Sequence, residues 1–169
     1  MTFEAHQLLF DVERQALERE FGPAVRSWWH LLAQSASEAP PPWKLEWCIV
    51  FPNSEYIYIR EHYTLLKGCR LTNEGVRTFF SYHYGERPMS DSSGQRHYHH
   101  SNPTILRVCY ITSKGKAPHL HYLGPDHHDQ TGIKGFPISD AQLSTFVRAV
   151  LEHRSGDVPL SELLGFEIL

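Results

Sequence analysis

The chain has 169 residues, 41% of them hydrophobic, 12 histidines and a formal net charge of −3. That length supports one domain with a real core and leaves little for a second. There is no run of about 18 apolar residues, which argues against a spanning helix. The opening "MTFEAHQLLFDVERQ" carries acids where a secretory leader carries a basic end and a long apolar run, so a cytoplasmic protein with no membrane contact is expected.

Residues 3–20 read as a helix, with Leu9, Val12, Ala16 and Leu17 recurring at helical spacing. "FGP" at 21–23 breaks it, and Pro23 is suited to open a second helix through "AVRSWWHLLAQ", made broadly apolar by Trp28, Trp29, Leu31 and Leu32. "SASEAPPPW" then reads as a stiff linker. Residues 1–42 are therefore expected to be a helical segment that packs on the domain or on a partner, and residues 43–169 the domain proper.

Past the linker the pattern changes to aromatic and β-branched residues. "WKLEWCIVF" (43–51) and "EYIYIREHYTLL" (55–66), separated by the turn residues "PNS", predict a hairpin. "RTFFSYHYG" (77–85), "TILRVCYIT" (104–112) and "PHLHYL" (118–123) predict three more strands, with a long polar loop over 86–103. A Gly/Pro-rich stretch leads to a last helix. Ser139 and Gln142 form a capping box at its start, Leu143, Phe146, Val147, Val150 and Leu151 its stripe, and Gly156 its end. Short links between strands imply antiparallel pairing. The predicted fold is α+β: a curved antiparallel sheet of about five strands, two N-terminal helices and one C-terminal helix.

The three cysteines, Cys48, Cys69 and Cys109, are widely spaced and make no CxxC, so buried reduced thiols are expected. Charge is unevenly spread: −3 over residues 1–52, +4 over 53–117 and −4 over 118–169, counting Lys/Arg against Asp/Glu. The basic middle is suited to face an anion such as RNA. Nine of the twelve histidines fall within residues 62–128, in this basic middle and just beyond it.

Alternate side chains on a strand share a face, so His119 and His121 project together, about 7 Å apart at Cα. Two imidazoles at that spacing, one neutral and one protonated, can divide base and acid work across a phosphate. His83, Arg107 and Arg60 or Glu61 are polar groups in a sheet whose interior should be apolar, and a shared cleft would supply their partners. There Arg60 and Arg107 would clamp the phosphate, and His83, counted with the catalytic pair, and Tyr82 would position substrate. Lys114 and Lys116 add cations for a phosphate in transition. RNA carries its own nucleophile, the 2′-hydroxyl, so cleavage needs no covalent residue and no metal. Two other readings stand beside this one. His119, His121, His127 and His128 could hold zinc or another divalent metal in a binding module, or the histidines could be incidental to a non-catalytic interaction protein of a bacterial defence system.

Four short motifs, "EYIYIREHYTL", "FFSYHYG", "ILRVCY" and "PHLHY", occur in an order that resembles the TumE-type toxin family of toxin–antitoxin systems. The resemblance covers roughly residues 43–153. It implies a small bacterial toxin acting in the cytoplasm on RNA, and neutralised by an antitoxin protein. Its matching positions are Arg60 and Glu61, Tyr82 and His83, Arg107, and His119 and His121. On that view the N-terminal helices, with Trp28 and Trp29, are an addition that docks the antitoxin or a second copy of the chain.

Overall fold

The computed structural model describes residues 1–33, 42–65, 74–86, 88–90, 92–97, 104–111, 119–122, 133–134, 142–156, 158–165 and 167–168. Its centre is a six-stranded antiparallel sheet with strand order β1-β2-β3-β4-β7-β8. These strands are β1 (Arg26–Ala33), β2 (Trp43–Val50), β3 (Tyr56–Leu65), β4 (Gly75–Gly85), β7 (Thr104–Ile111) and β8 (His119–Tyr122). Sequential strands are neighbours throughout, as short links dictate. Between β4 and β7 lies a two-residue hairpin, β5 (Met89–Ser90) and β6 (Arg96–His97), and a separate pair joins β9 (Ile133–Lys134) to β10 (Glu167–Ile168).

The α+β class agrees with the sequence reading, while the helices differ in number and place. The stretch expected as a second N-terminal helix is β1, paired with β2 over eight positions from Arg26↔Val50 to Ala33↔Trp43. "RSWWHLLA" has apolar residues dense enough to fit either period, and tertiary pairing decides between them. Extended, it sends Trp29 and Leu31 to one face and Arg26, Trp28, His30 and Leu32 to the other. Trp29 meets the Phe10 ring at 5.4 Å and lies under the Arg14 guanidinium at 5.0 Å. At the other end there are two helices, α2 (Leu143–Ser155) and α3 (Leu160–Leu164). Gln142 is the N-cap of α2 and makes no side-chain cap bond. The expected start at Ser139 lies outside the described residues. Gly156 ends α2 as expected, and Gly165 closes α3 at φ 65°, the left-handed conformation that favours glycine.

Helix α1 (Phe3–Glu20) forms where expected but turns a different side inward. Its buried residues are His6, Phe10 and Leu17, whereas Leu9 and Val12 of the expected stripe are exposed, as is Leu8. Aromatic packing sets this rotation. Phe10 meets Trp47 edge-on at 5.6 Å, Phe3 meets Trp43 at 5.9 Å, and Trp43 Nε1 donates to His6 Nδ1 at 2.8 Å. Helix α2 buries Leu143, Phe146, Val147, Ala149 and Val150.

Both long helices cover one face of the sheet. That inner face is Leu45, Trp47 and Ile49 of β2, Ile57 and Ile59 of β3, Phe80, Tyr82 and Tyr84 of β4, Leu106 and Val108 of β7 and Leu120 of β8, all in one core cluster with the helix residues. None of the described helices is long and apolar enough to cross a membrane.

Candidate functional site

The strand registers align the polar residues on the outer face of the sheet. One row across the strands reads Trp28, Cys48, Tyr58, His83, Arg107, His121. The next row on the same face reads His30, Glu46, Arg60, Ser81, Cys109, His119, and the next Leu32, Lys44, His62, Phe79, Ile111. Residues directly opposite on antiparallel strands lie about 5 Å apart at Cβ. The backbone thus sets His121 beside Arg107, Arg107 beside His83, and His119 beside Cys109. Leu120, between the two histidines, belongs to the core on the inner face.

His83 is fully buried. Its Nε2 lies 3.1 Å from the Tyr56 hydroxyl, and the two rings stack with centroids 5.3 Å apart. Gly85 allows this packing: a Cβ there would lie 2.6 Å from His83 Nε2 and 2.9 Å from the Tyr56 ring. The pair therefore depends on a residue without a side chain at the end of β4.

Arg60 lies one row away. Its Nε approaches Glu46 Oε1 at 3.5 Å and its guanidinium lies 5.6 Å from the centre of the Phe79 ring. Phe79 also touches His62, at 4.6 Å between centroids. Burial lowers the His62 pKa, and the neighbouring Arg60 and Lys44 charges lower it further, so His62 is neutral at pH 7. Burial raises the Cys109 thiol, with Arg107 opposing, and raises Cys48 further, so neither is a ready nucleophile. Cys48 and Cys109 are buried reduced thiols, as the sequence reading expects of them, and Cys69 lies outside the described residues. Tyr58, half-buried near Glu46, is pushed up to about 12 by burial.

Tyr82 and Glu61 fall on the inner face, away from His83 and Arg60. They belong to a buried network under α1. Glu61, 3% exposed, accepts from the Tyr63 hydroxyl at 3.0 Å, from Arg77 Nη1 at 2.9 Å and from the Tyr82 hydroxyl. His6 Nε2 stands 3.6 Å from it. A cleft of about 170 Å³ opens beside the network, lined among others by His6, Glu13, Glu61, Arg77 and Gln142. Burial raises the Glu13 carboxyl and the Glu61 charge raises it further. Burial lowers His6 with Arg77 adding and Glu61 opposing. Tyr82, Tyr63 and Glu61 are three residues on two strands whose donors and acceptor match, which is the arrangement that makes a buried carboxylate tolerable.

The sequence reading did not single out Tyr56, Lys44, Glu46 or Phe79 on the outer face, nor His6 and Arg77 in the network. Strict alternation in "WKLEWC" and "IREHY" marks Lys44, Glu46 and His62 as outward. No local signal marks Tyr56, Phe79, His6 or Arg77, whose places depend on pairing across the sheet. Lys114, Lys116, His127 and His128 lie outside the described residues, and so does much of the 86–103 loop. Among the described residues, no group of three or more His, Cys, Asp or Glu is placed to hold a metal ion. Comparisons with known protein families, curated proteins and solved structures found no match.

Proposed function

We propose that the protein is a TumE-like toxin that cleaves RNA without a metal, on the outer face of its sheet. What supports this reading is the register that sets His119, His121, Arg107 and Arg60 on one face, opposite the helix-covered core. One imidazole of the His119/His121 pair takes the proton of a ribose 2′-hydroxyl. The 2′-oxygen attacks the adjacent phosphorus, the bond from phosphorus to the 5′-oxygen breaks, and the other histidine, starting as imidazolium, gives that oxygen a proton. Arg107 and Arg60 hold the phosphate oxygens as charge builds on them. His83, held by Tyr56, stands opposite Arg107 in the strand register. The apolar residues Leu8, Leu9 and Val12, exposed on α1, are where an antitoxin or a second copy docks.

The test uses labelled single-stranded RNA in buffer with EDTA, together with expression in cells. The wild type is expected to cut the RNA and slow growth. His119→Ala and His121→Ala are each expected to lower cleavage at least a hundredfold, in line with the loss of a general acid or base. If the wild type leaves RNA intact, or if both variants cut as it does, the reading fails. Cleavage lost to EDTA and restored by zinc would replace the metal-free mechanism.

A further inference from the structure

The outer face carries more than the groups that cleavage needs. Lys44, Arg60 and Arg107 stand on three strands, with Arg26 exposed on β1. Against Arg26, Lys44 and Arg60 the described side chains of this face include one carboxylate, Glu46, which pairs with Arg60. The chain as a whole has a formal charge of −3, so positive charge is gathered here against the overall balance. Aromatic rings are interleaved with it. Trp28 is 42% exposed, and half-buried His62 and Phe79 sit side by side one row from Arg60. Cys48, Ser81, His83 and Cys109 of the same face are buried, so its more accessible part runs from Trp28 on β1 to Phe79 on β4, three strand spacings or about 14 Å.

We propose that this face is a platform for single-stranded RNA, with bases stacked on Trp28, His62 and Phe79 and phosphates held by Lys44, Arg60 and Arg107. This rests on the RNA-cleaving reading and specifies how substrate reaches the histidine pair on β8. Charge complementarity selects a polyanion, and the rings select one with unpaired bases. A duplex hides its bases from such a surface, whereas an open sheet with aromatic residues stacks two or three splayed bases. Inorganic polyphosphate or a lipid headgroup would use the cations and gain nothing from the rings.

The experiment measures anisotropy of a labelled eight-nucleotide RNA with the full chain carrying His119→Ala and His121→Ala, so that the probe stays intact. In this background Phe79→Leu and Trp28→Ala are each expected to weaken binding about tenfold, the usual scale for one stacked base. Lys44→Gln is expected to weaken it and to reduce the slope of log affinity against log salt by about 0.7, the signature of one lost phosphate contact on a single strand. Arg148→Gln removes a cation from exposed α2 and is expected to leave affinity and slope unchanged. Circular dichroism and melting confirm that each variant folds. The platform is overturned if the parent binds no RNA, if the three face variants bind like the parent, or if polyphosphate competes as well as RNA of equal charge. Binding that follows the face while wild type cuts nothing keeps the platform and removes the nuclease. Cleavage that survives unchanged in all three face variants keeps the nuclease and removes the platform.

Discussion

Glu61→Gln isolates the part of the molecule that is structural. The side chain is 4% exposed and takes hydrogen bonds from Tyr63, Tyr82 and Arg77, whose own side chain is 26% exposed. Glutamine keeps the shape and removes the charge. The two tyrosine bonds then fall from charge-assisted to neutral, and Arg77 loses its anionic partner, a loss of about 1 kcal/mol apiece. The new amide N–H₂ also turns one acceptor into a donor that faces another donor, adding about 1–2 kcal/mol. The expected loss is about 4–5 kcal/mol, or roughly 10 °C or more in Tm for a chain of this size. Urea unfolding followed by tryptophan fluorescence reads it, since Trp43 and Trp47 are both fully buried. A double-mutant cycle with Tyr63→Phe should show coupling of about 1 kcal/mol or more. Below its melting range Glu61→Gln should still cut RNA, because Glu61 faces the core. A stability loss under about 1 kcal/mol would refute the reasoning. So would a folded Glu61→Gln protein without cleavage.

Gly85→Ala should cost about 1–3 kcal/mol, through the clash of its methyl with His83 and Tyr56. Melting of this variant, compared with Gly85→Ala in a Tyr56→Leu background, shows whether the loss shrinks when the ring is removed. Lowering pH should destabilise the fold through His6. Burial holds its pKa below the ordinary 6.5, so the unfolded chain takes the proton first. This contribution is fully present above about pH 6.5 and is lost as pH falls toward and through the lowered folded value. His62 acts in the same direction. Plots of Tm against pH should be flatter for His6→Asn than for wild type over that window, and parallel curves would contradict the assignment. Native protein should leave Cys48 and Cys109 unlabelled by iodoacetamide at pH 7.5, with labelling of both appearing in urea, as peptide mass spectrometry would show.

The strands were legible because alternation is a local signal. The expected runs 43–51, 55–66, 77–85, 104–112 and 118–123 overlap β2, β3, β4, β7 and β8, and Arg60/His62, Ser81/His83 and Arg107/Cys109 share the outer face as alternation predicts. β1 was not legible. "SWWHLL" satisfies both periods, and the information that makes it a strand is the free edge of β2, some fifteen residues further on. The rotation of α1 failed for a similar reason. Leu9 and Val12 look like a core stripe until Trp29, Trp43 and Trp47 on the sheet draw in Phe3, His6 and Phe10 instead. In the candidate site, residue type and spacing single out the histidine pair and the arginines, and alternation alone puts Arg60 and Arg107 on the outer face. The partners of His83 and Glu61 are not legible there, since Tyr56 lies 27 positions from His83 and Arg77 lies 16 from Glu61.

Mass spectrometry of the RNA ends left by the wild-type protein in EDTA tests the central claim most directly. Attack by the 2′-oxygen under two imidazoles predicts a 2′,3′-cyclic phosphate on one fragment and a free 5′-hydroxyl on the other. A 5′-phosphate with a 3′-hydroxyl, or no cut at all, would contradict it.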